Sequence, residues 1–460
     1  MDNLNSHKLQ AATNYIDSWL TFNFDNSRVP AMSVAIQHGD KLVYSKAFGH
    51  ANLAKKDKLT TDHTFRIASH SKTFTATAVA QLKEAGKLRL DDTVSQHLKW
   101  FKSTKDKRIS ELTIRQLLNH TAGVIRDGED ANYWQLLRKF PDEAELKQYI
   151  TSAKLIYDAD VEFKYSNFGF SYLGLLIEAV SGKSYRQYVT ENIVNKLGLK
   201  STGPDLDAKA NKTLATGYGI MLFNKDRRVF DHIDTRAMSS ATGFYSTAED
   251  VCKYFAAHFF GNSTLITDAS KREMQHGYWK AKFTKERYGL GMVNYKKKGW
   301  TIYGHSGGFP GFITNTQFDA KRQLVVTSLT NANEGVAKKA TTGILSIIDT
   351  FQQDTPEKSK TGDIKAFAGR FYGTWGATDV IAVGNKLMAI EPTGWNDDFE
   401  QCQKLSVVDS KTLKIDEAGG YDSPGEIVNY EFGTNGKAKT ITYAGTKMLP
   451  LEQAKKEGWF

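Results

Sequence analysis

Cysteine is almost absent from the sequence: the chain of 460 residues contains two, Cys252 and Cys402. Two cysteines cannot build a disulfide framework or a zinc cluster, so the sequence predicts neither. No run of about 18 apolar residues occurs, which excludes a transmembrane helix from the predicted elements. The opening stretch, MDNLNSHKLQ, has no basic segment followed by an apolar one and therefore predicts no signal peptide. The compartment stays open, either cytoplasmic or exported with a leader removed.

The basic residues outnumber the acidic ones, but they are scattered along the chain. Lys and Arg total 61 against 51 Asp and Glu, which gives a net charge of +10. The densest basic run, Lys296 to Lys298, is accompanied by no nucleic-acid-binding motif, so we interpret it as a solvated turn. We expect no nucleic-acid partner. The length indicates two or three domains, or one large domain with a small one, at about 150 residues per domain.

The pattern of apolar residues predicts an α+β fold for most of the chain. The segment AMSVAIQHGDKLVYSKAFG alternates and turns at Gly39 and Asp40, as a β-hairpin does. The middle of the chain is largely helical and includes a helix from about His70 to Ala85, before Gly86. From Gly299 the pattern returns to consecutive strands. This order predicts an antiparallel sheet built from both ends of a domain, with a helical insertion between them.

The C-terminal part has a different pattern. Residues 352–362, QQDTPEKSKTG, are polar and contain a proline, so we interpret them as a linker. Beyond them, short alternating runs turn at Gly384-Asn385 and around Asn435-Gly436. Such runs are typical of a small all-β domain or barrel. We therefore expect a first domain over 1–351 and a small β-domain over 363–460.

Two serine motifs compete for the place of a nucleophile. The residues around Ser306 match G-x-S-x-G, the nucleophile elbow of α/β-hydrolases, in which a helix follows the serine and the catalytic histidine comes later. Here a strand pattern follows the motif, and His305 is the last of the 11 histidines. The chain order of that triad cannot be completed, so we do not assign Ser306 as the nucleophile.

The second serine motif is S-x-x-K, formed by Ser69 and Lys72 at the start of a predicted helix. Residues three apart on a helix are neighbours on one face. The positive field of the helix N-terminus stabilises an alkoxide and, together with burial, lowers the pKa of a nearby ammonium group. A neutral Lys72 can then accept the proton of Ser69, which activates the hydroxyl as a nucleophile.

A further motif, Tyr165-Ser166-Asn167, also begins an apolar helix. Near a cationic Lys72 the phenolate of Tyr165 is favoured, and the side chain can then relay protons. The amide of Asn167 offers both a donor and an acceptor for a substrate carbonyl or amide group. Found together, the two motifs favour a catalytic interpretation over isolated packing roles.

The segments SHSK, YSN and HSGG, in this order, resemble those of the serine β-lactamase and penicillin-binding protein superfamily. The most similar branch holds class C β-lactamases, DD-carboxypeptidases, D-aminopeptidases and β-lactamase-like esterases. The resemblance covers about residues 10–350 and implies an antiparallel sheet flanked by helices, with a helical subdomain. The C-terminal region is more weakly similar to the lipocalin-like β-domain of some peptidases and esterases of this branch. That domain would limit access to the cleft or mediate oligomer contacts.

This resemblance implies roles for the matching residues. Ser69 would be the acylated nucleophile, and Lys72 and Tyr165 would share the work of general base and acid. Asn167 would hold the substrate or Lys72.

The resemblance also assigns the HSGG segment to the strand that lines the cleft. His305, Ser306 and Gly307 would bind substrate there. The backbone N–H groups of Gly308 and Ser69 would form an oxyanion hole, with each donor contributing about 3 kcal/mol.

One position departs from the pattern, because many β-lactamases and penicillin-binding proteins carry lysine where this chain has His305. That lysine helps to bind the substrate carboxylate, whereas histidine is only partly charged at neutral pH. The departure favours a peptidase or an esterase over a strong β-lactamase. His70, inside the S-x-x-K motif, is interpreted as a packed neighbour.

We therefore expect a serine hydrolase that cleaves an amide of a small peptide, including peptides with D-residues. The alternatives are a carboxylesterase, a weak β-lactamase or penicillin-binding protein, and a catalytically silent binding or scaffold protein. We expect no cofactor and no metal, since no H-E-x-x-H run occurs. The sequence leaves a homo-oligomer open.

Overall fold

The computed structural model describes residues 4–207, 210–223, 226–230, 232–353, 364–395, 399 and 402–460. The chain divides into two compact units, of which the first is Arg28–Thr341 and the second combines residues 4–27 with Thr342–Phe460. Within the described residues, no helix is both long enough and apolar enough to cross a membrane. The domain boundaries proposed at residues 351 and 363 stay a prediction, and residues 354–362 of the predicted linker lie outside the described part of the chain.

The regular elements alternate between helices and short strands in the first unit and are mostly strands toward the C-terminus. The α-helices are α1 Ser6–Asp25, α2 Ser71–Glu84, α3 Val94–His97, α4 Ile114–Leu118, α5 Glu143–Ser152, α6 Asn167–Ser181, α7 Tyr185–Val189, α8 Ala210–Thr213, α9 Ala248–Ala256, α10 Asp268–Gln275, α11 Val336–Gln353 and α12 Leu451–Lys456. The strands are β1 Ala31–His38, β2 Lys41–Asn52, β3 Asp57–Lys58, β4 Phe65–Arg66, β5 Gly217–Tyr218, β6 Val229–Phe230, β7 Tyr245–Ser246, β8 Trp279–Lys280, β9 Arg287–Tyr288, β10 Val293–Lys297, β11 Trp300–Phe309, β12 Phe312–Asp319, β13 Leu324–Thr330, β14 Gly369–Gly373, β15 Gly376–Val383, β16 Lys386–Ile390, β17 Gln403–Asp409, β18 Thr412–Glu417, β19 Ile427–Phe432, β20 Ala438–Tyr443 and β21 Thr446–Met448.

The first unit contains an antiparallel sheet whose strands come from both ends of the unit, as the sequence predicts. Among the described residues the sheet has nine strands in the order β3-β2-β1-β13-β12-β11-β10-β9-β8. Strands β1 and β2 form the predicted hairpin. Strand β1 also pairs with β13, from Met32 opposite Thr330 to His38 opposite Leu324. The late meander β11-β12-β13 therefore joins the early hairpin, and the helical segment between them is an insertion.

Helix α2 carries the S-x-x-K segment and is buried along most of its length. Phe74, Ala78 and Leu82, which follow one another at every fourth position, are at most 2% exposed. The other side of the helix is also enclosed, and its hydroxyls are satisfied there; Thr75, for example, donates to the carbonyl of Ser240 at 2.6 Å. A helix that is covered on all sides is a core element. The turn that carries Ser69 directly precedes this buried helix.

Helix α6 places the Tyr165-Ser166-Asn167 motif against α2. The hydroxyl of Ser166 accepts a hydrogen bond from the N–H of Gly169 at 2.8 Å and so caps the start of the helix. The helix ends at Gly182, whose φ of 74° lies in the left-handed region that glycine adopts at little cost. Because α6 packs on α2, its first residue, Asn167, comes to lie beside Lys72.

The C-terminal part of the second unit is all-β, as predicted. In the described residues, eight antiparallel strands from β14 to β21 each pair with the next. Backbone hydrogen bonds of 2.7 and 3.0 Å between Tyr372 and Leu449 connect β14 to the residue after β21, so the sheet nearly closes into a barrel. The predicted turns at residues 384–385 and 435–436 lie between β15 and β16 and between β19 and β20.

Candidate active site

Ser69 lies in the 3-10 turn Ala68–His70, directly before helix α2. The preceding residue, Ala68, has a φ of 50°, in the left-handed region that residues with a Cβ rarely adopt. The backbone of this turn is fixed from both sides. The N–H of Ile67 donates to the carbonyl of Phe244 at 2.9 Å, and Ser71 Oγ donates to the carbonyl of Ala68 at 2.5 Å. Backbone strain that is held in place in this way clusters at functional sites.

The amino group of Lys72 has three close oxygen neighbours. Its Nζ lies 2.7 Å from Asn167 Oδ1, 2.8 Å from the carbonyl oxygen of Ala241 and 3.3 Å from Ser69 Oγ. A neutral amine has two N–H bonds and one lone pair. The two carbonyl oxygens can accept only hydrogen bonds, so they take the two N–H groups of the neutral form. The lone pair then faces the hydroxyl of Ser69, as a general base requires.

The surroundings of Lys72 favour this neutral form. The side chain is completely buried. Burial is the largest influence on the Lys72 ammonium and moves its pKa well below the usual value, while the carboxylate of Asp127 raises that pKa and the guanidinium of Arg126 lowers it. The lowered pKa increases the neutral fraction of Lys72 relative to an ordinary lysine, as a general base requires.

Tyr165 also contacts Ser69, and the two side chains are hydrogen-bonded. The Tyr165 ring also lies 4.8 Å from Lys72 Nζ and 5.3 Å from the guanidinium carbon of Arg126. Burial raises the pKa of Tyr165 above its usual value, although the bond to Ser69 and the charge of Arg126 lower it. The expectation that a phenolate is favoured here was wrong, because desolvation outweighs the charge of Arg126. Tyr165 is a neutral phenol that can donate a proton.

Asn167 holds Lys72 and is itself held by Asp127, a residue that the sequence motifs did not point to. Asn167 Nδ2 donates to Asp127 Oδ1 at 2.7 Å, which orients the amide so that Oδ1 faces Lys72. The carboxylate of Asp127 also accepts from Tyr133 at 3.3 Å and from Arg126 Nε at 3.0 Å. Of the two roles expected for Asn167, this geometry favours the one of positioning Lys72.

His305 lies on β11 close to this cluster, but it is a buried and neutral ring. Its Nδ1 lies 2.6 Å from the carbonyl oxygen of Ser306, so this nitrogen carries the hydrogen. Its Nε2 then accepts from the hydroxyl of Tyr288 at 2.9 Å. Burial, with smaller contributions from His70 and Lys72, lowers the pKa of His305 to about 3. The expectation of partial charge at neutral pH was wrong, because both ring nitrogens are engaged and the ring is desolvated.

Gly307 brings strand β11 into close contact with the turn that carries Ser69. A Cβ at this position would lie 2.3 Å from the carbonyl oxygen of Ile67, 2.4 Å from Thr314 Oγ1 and 3.1 Å from the Cβ of Ala68. Only glycine, which has no Cβ, allows the backbone of β11 to come this close to the turn that carries Ser69. By contrast, a Cβ at Gly308 would have 3.6 Å to its nearest neighbour. Ser306 and Gly308 are exposed, whereas His305 and Gly307 are buried.

One edge of β11 is open next to Ser69. Strand β10 pairs with β11 from Trp300 to Gly304 and then stops, while β12 covers the opposite edge up to Phe309. The strand also runs straight through the G-H-S-G-G residues and is followed by β12, so these residues form no strand-turn-helix elbow. The open edge lies where the resemblance places the substrate-binding strand and the N–H of Gly308.

A cavity of about 350 Å³ opens where β11 ends. Beside Gly308 the walls include the apolar side chains of Trp134, Ile220, Phe230 and Phe309, together with the polar side chains of Gln135, Arg228 and Asn333. Pockets that bind small molecules have this composition. Among the described residues, no group of three or more His, Cys, Asp or Glu side chains is placed to hold a metal ion.

The structure therefore brings Ser69, Lys72, Tyr165 and Asn167 together, as predicted, and places His305 and Gly307 beside them. His70 is a packed neighbour: it donates to the carbonyl of Ile67 and accepts from Thr316, each at 3.0 Å. Three contributors were missed by the sequence motifs. They are Asp127, the backbone carbonyl of Ala241, and His120, whose ring lies 4.2 Å from that of Tyr165.

Similarity to curated proteins is limited to part of the chain. Protein flp of Staphylococcus aureus (strain MW2) is 31% identical over 205 residues, which cover 44% of this chain and 40% of that protein. Beta-lactamase-like protein 2 of Dictyostelium discoideum is 27% identical over 284 residues, covering 59% of this chain and 50% of that protein. The chain thus matches half or less of the length of these relatives.

Solved structures extend the similarity to the whole fold. The octameric penicillin-binding protein homologue from Pyrococcus abyssi has a TM-score of 0.65 and 20% identity, and the match covers 95% of this chain and 99% of that one. A D-stereospecific amidohydrolase from Streptomyces sp. has a TM-score of 0.61 at 21% identity, covering 73% and 97%. EstCE1, a hydrolase with promiscuous acyltransferase activity, has a TM-score of 0.62 at 21% identity, covering 75% and 99%. These likenesses establish the fold.

The family model described as Beta-lactamase matches residues 14–347, which is most of the chain. This span contains every side chain of the cluster around Ser69. The fold, the arrangement of that cluster and the extent of this match agree, and the chain belongs to the β-lactamase family.

Proposed function

We propose that the protein is a serine hydrolase that forms an acyl-enzyme on Ser69 and hydrolyses an amide bond of a small peptide. One observation carries the proposal: Lys72 Nζ is held by two carbonyl oxygens at 2.7 and 2.8 Å and lies 3.3 Å from Ser69 Oγ, so the lone pair of a neutral Lys72 would face this hydroxyl. A lysine that only stabilises the fold would not need this orientation toward a hydroxyl.

In the acylation step, the proton of Ser69 Oγ moves to Lys72 Nζ as Oγ bonds to the substrate carbonyl carbon. The carbonyl oxygen becomes an oxyanion, which the backbone N–H groups of Ser69 and Gly308 stabilise. As the C–N bond breaks, the neutral phenol of Tyr165 protonates the leaving amine. Lys72 then returns its proton to Tyr165, so the acyl-enzyme forms with both groups neutral.

Deacylation runs through the same groups in the reverse direction. Water takes the place of the leaving amine, and the oxygen of this water attacks the ester carbon. The water gives one proton to Tyr165, which passes its own proton to Lys72. The bond from Oγ to carbon breaks, and Ser69 Oγ recovers its proton from Lys72. The products are a carboxylic acid and the regenerated hydroxyl.

The choice of an amide substrate rests on similarity and on charge. The relative from Streptomyces is named a D-stereospecific amidohydrolase, which supports peptide substrates that include D-residues. The neutral state of His305 provides no fixed positive charge at this point of β11 for a substrate carboxylate. A substrate that needs such a cation, as a β-lactam does in relatives with lysine there, is therefore a poor candidate.

A carboxylic ester is the second candidate, and the cavity at the end of β11 favours it. Its walls of Trp134, Ile220, Phe230 and Phe309 suit an apolar acyl chain. The relative EstCE1 is named a hydrolase with promiscuous acyltransferase activity, which is consistent with an acyl-enzyme of this kind.

The proposal is tested by turnover of D- and L-aminoacyl amides, short-chain p-nitrophenyl esters and nitrocefin, with Ser69→Ala as the control. We expect amide turnover that Ser69→Ala abolishes. Ester turnover without amide turnover would select the second candidate. Nitrocefin turnover alone would overturn the ranking, and no turnover of any substrate would favour a silent binding protein.

The assembly of the chain is a separate proposal. The relative from Pyrococcus abyssi is described as octameric and matches nearly the full chain. We propose a homo-oligomer in which the C-terminal barrel, interpreted as lipocalin-like, mediates contacts. Light scattering of the full chain tests the assembly directly, since a monomeric full chain would contradict it.

A further inference from the structure

One end of the C-terminal barrel carries a cavity of about 730 Å³. Consecutive strands of the barrel run in opposite directions, so the connections β14-β15, β16-β17, β18-β19 and β20-β21 all lie at the same end. Residues next to or within each of these four connections line the cavity. The mouth of a β-barrel is a frequent place for a small-molecule site, and this volume lies within the usual range of about 300 to 1,000 Å³.

Two aromatic side chains stand fully exposed at this cavity. Trp375, in the β14-β15 turn, is 95% exposed, and Tyr421, in the β18-β19 connection, is 109% exposed. A single exposed aromatic residue is unremarkable on a protein surface. Two such rings at the rim of one cavity present flat apolar faces that a ligand can cover.

The rest of the cavity wall is rich in hydrogen-bonding groups. Thr374, Thr378, Glu391 and Ser423 contribute hydroxyl and carboxyl groups. The side-chain oxygen of Gln403, on β17, accepts a hydrogen bond from the hydroxyl of Tyr443, on β20. A ligand for this site therefore needs many hydroxyl or amide groups together with flat C–H surfaces.

The interior of the barrel is not the site of binding, because side chains fill it. Its core is a continuous set of buried apolar residues: Ile364, Phe367, Phe371, Val380, Leu387, Ala389, Leu405, Leu413, Ile415, Val428, Tyr430, Ile441 and Met448. A lipid chain of the kind that an open barrel encloses finds no space among them. Of this core, Ala389 and Met448 also line the cavity, so the mouth has an apolar floor beside its polar groups.

We propose that the mouth of the C-terminal barrel is a binding site for a pyranose saccharide. The C–H faces of a sugar ring would stack on Trp375 and Tyr421, while its hydroxyls would bond to the threonine, glutamine and glutamate side chains of the wall. This site lies entirely within the second unit and does not depend on the chemistry at Ser69.

The test is calorimetric titration of the full chain with four tetrasaccharides: cellotetraose, chitotetraose, maltotetraose and mannotetraose. They differ in linkage and in the orientation of their hydroxyls, so they sample the main pyranose geometries. We expect at least one to bind with a Kd of about 1 mM or tighter. Trp375→Ala and Tyr421→Ala should each weaken that binding by about tenfold, and Trp375→Phe should retain most of it.

Two controls isolate the site. Phe283→Ala removes an equally exposed ring (104%) in the first unit and should leave saccharide binding unchanged. Ser69→Ala should also leave it unchanged, so the result is independent of whether the chain is a hydrolase. Binding of none of the four at 5 mM, on the order of five times that limit, would overturn the proposal. Binding that survives the double variant Trp375→Ala/Tyr421→Ala, with its thermal unfolding unaltered, would overturn it equally.

Discussion

The side-chain oxygen of Asn167 lies 2.7 Å from the amino nitrogen of Lys72, and it is held there because Asp127 binds the other end of the same amide. This relay from Asp127 through Asn167 fixes where the N–H groups of Lys72 point. It also places a carboxylate near an amine that burial has made easy to deprotonate. The protonation of Lys72 is therefore set by a balance between desolvation and two opposite charges.

The balance at Lys72 predicts opposite effects of two neighbouring substitutions. Lys72 acts as a base only when neutral, so activity rises with pH through its pKa. Asp127 raises this pKa and Arg126 lowers it. Asp127→Asn should therefore move the acidic limb of the kcat/KM profile to lower pH, and Arg126→Gln should move it to higher pH. Profiles measured on one ester substrate give the test, and shifts in the same direction would contradict it.

Tyr165→Phe separates the role of the phenol from the packing of its ring. The variant keeps the ring 4.8 Å from Lys72 Nζ but removes the hydroxyl that protonates the leaving group. We expect kcat for an amide to fall by about 10² to 10⁴. A p-nitrophenyl ester, whose leaving group needs no proton, should lose far less. Equal losses on both substrates would contradict proton donation to the leaving group.

The local motifs were predictable because their determinants lie close together in the chain. Thr113 and Gln116, three residues apart, form a capping box with hydrogen bonds of 3.2 and 2.9 Å. Ser69 and Lys72 meet because they are three positions apart across continuous helical turns. The hairpin and the meander follow from alternation alone.

The remaining parts of the site were not predictable from local pattern, because they depend on contacts between distant segments. Lys72 meets the carbonyl of Ala241 across 169 residues of sequence, and any residue type has that carbonyl. The neutral states of Tyr165 and His305 result from burial, which a motif does not encode. The grouping of residues 4–27 with the C-terminal segment is likewise a property of the folded chain.

The contact between β11 and the turn of Ser69 predicts a contrast between adjacent glycines. Gly307→Ala forces a Cβ to within 2.3 Å of the Ile67 carbonyl, whereas Gly308→Ala meets nothing closer than 3.6 Å. Gly307→Ala should lower the free energy of unfolding by about 1 to 3 kcal/mol and reduce activity. Gly308→Ala should leave stability within about 0.5 kcal/mol of the wild type. Thermal and urea unfolding measure both, and equal stability of the two variants would contradict the close approach.

The buried histidines predict a loss of stability in mild acid. Burial lowers the pKa of His70 and His258 to about 4, and that of His305 to about 3. An unfolded histidine has a pKa of about 6.5. At pH values between that pKa and the lowered ones, these rings bind a proton only in the unfolded chain. Each ring therefore contributes stability above pH 6.5 that is lost at about 1.4 kcal/mol per pH unit as the pH falls.

His258→Gln tests this linkage away from the proposed catalytic groups. It removes one of the protons taken up on unfolding, so the slope of unfolding free energy against pH should fall by about 1 kcal/mol per pH unit between pH 6 and 5. Urea titrations at several pH values give that slope for the variant and the wild type. An unchanged slope would show that His258 is not held neutral in the folded chain.

The central claim is that Ser69 is acylated with Lys72 as its base, and peptide mapping of a covalent adduct tests it most directly. The protein is treated with a fluorophosphonate at pH 7 and digested, and the modified residue is identified by mass. We predict an adduct on Ser69 that is absent from Ser69→Ala. Its formation should slow by at least about 100-fold in Lys72→Arg, whose guanidinium cannot serve as the base. No adduct in the wild type, an adduct on Ser306, or unchanged labelling of Lys72→Arg would contradict the account.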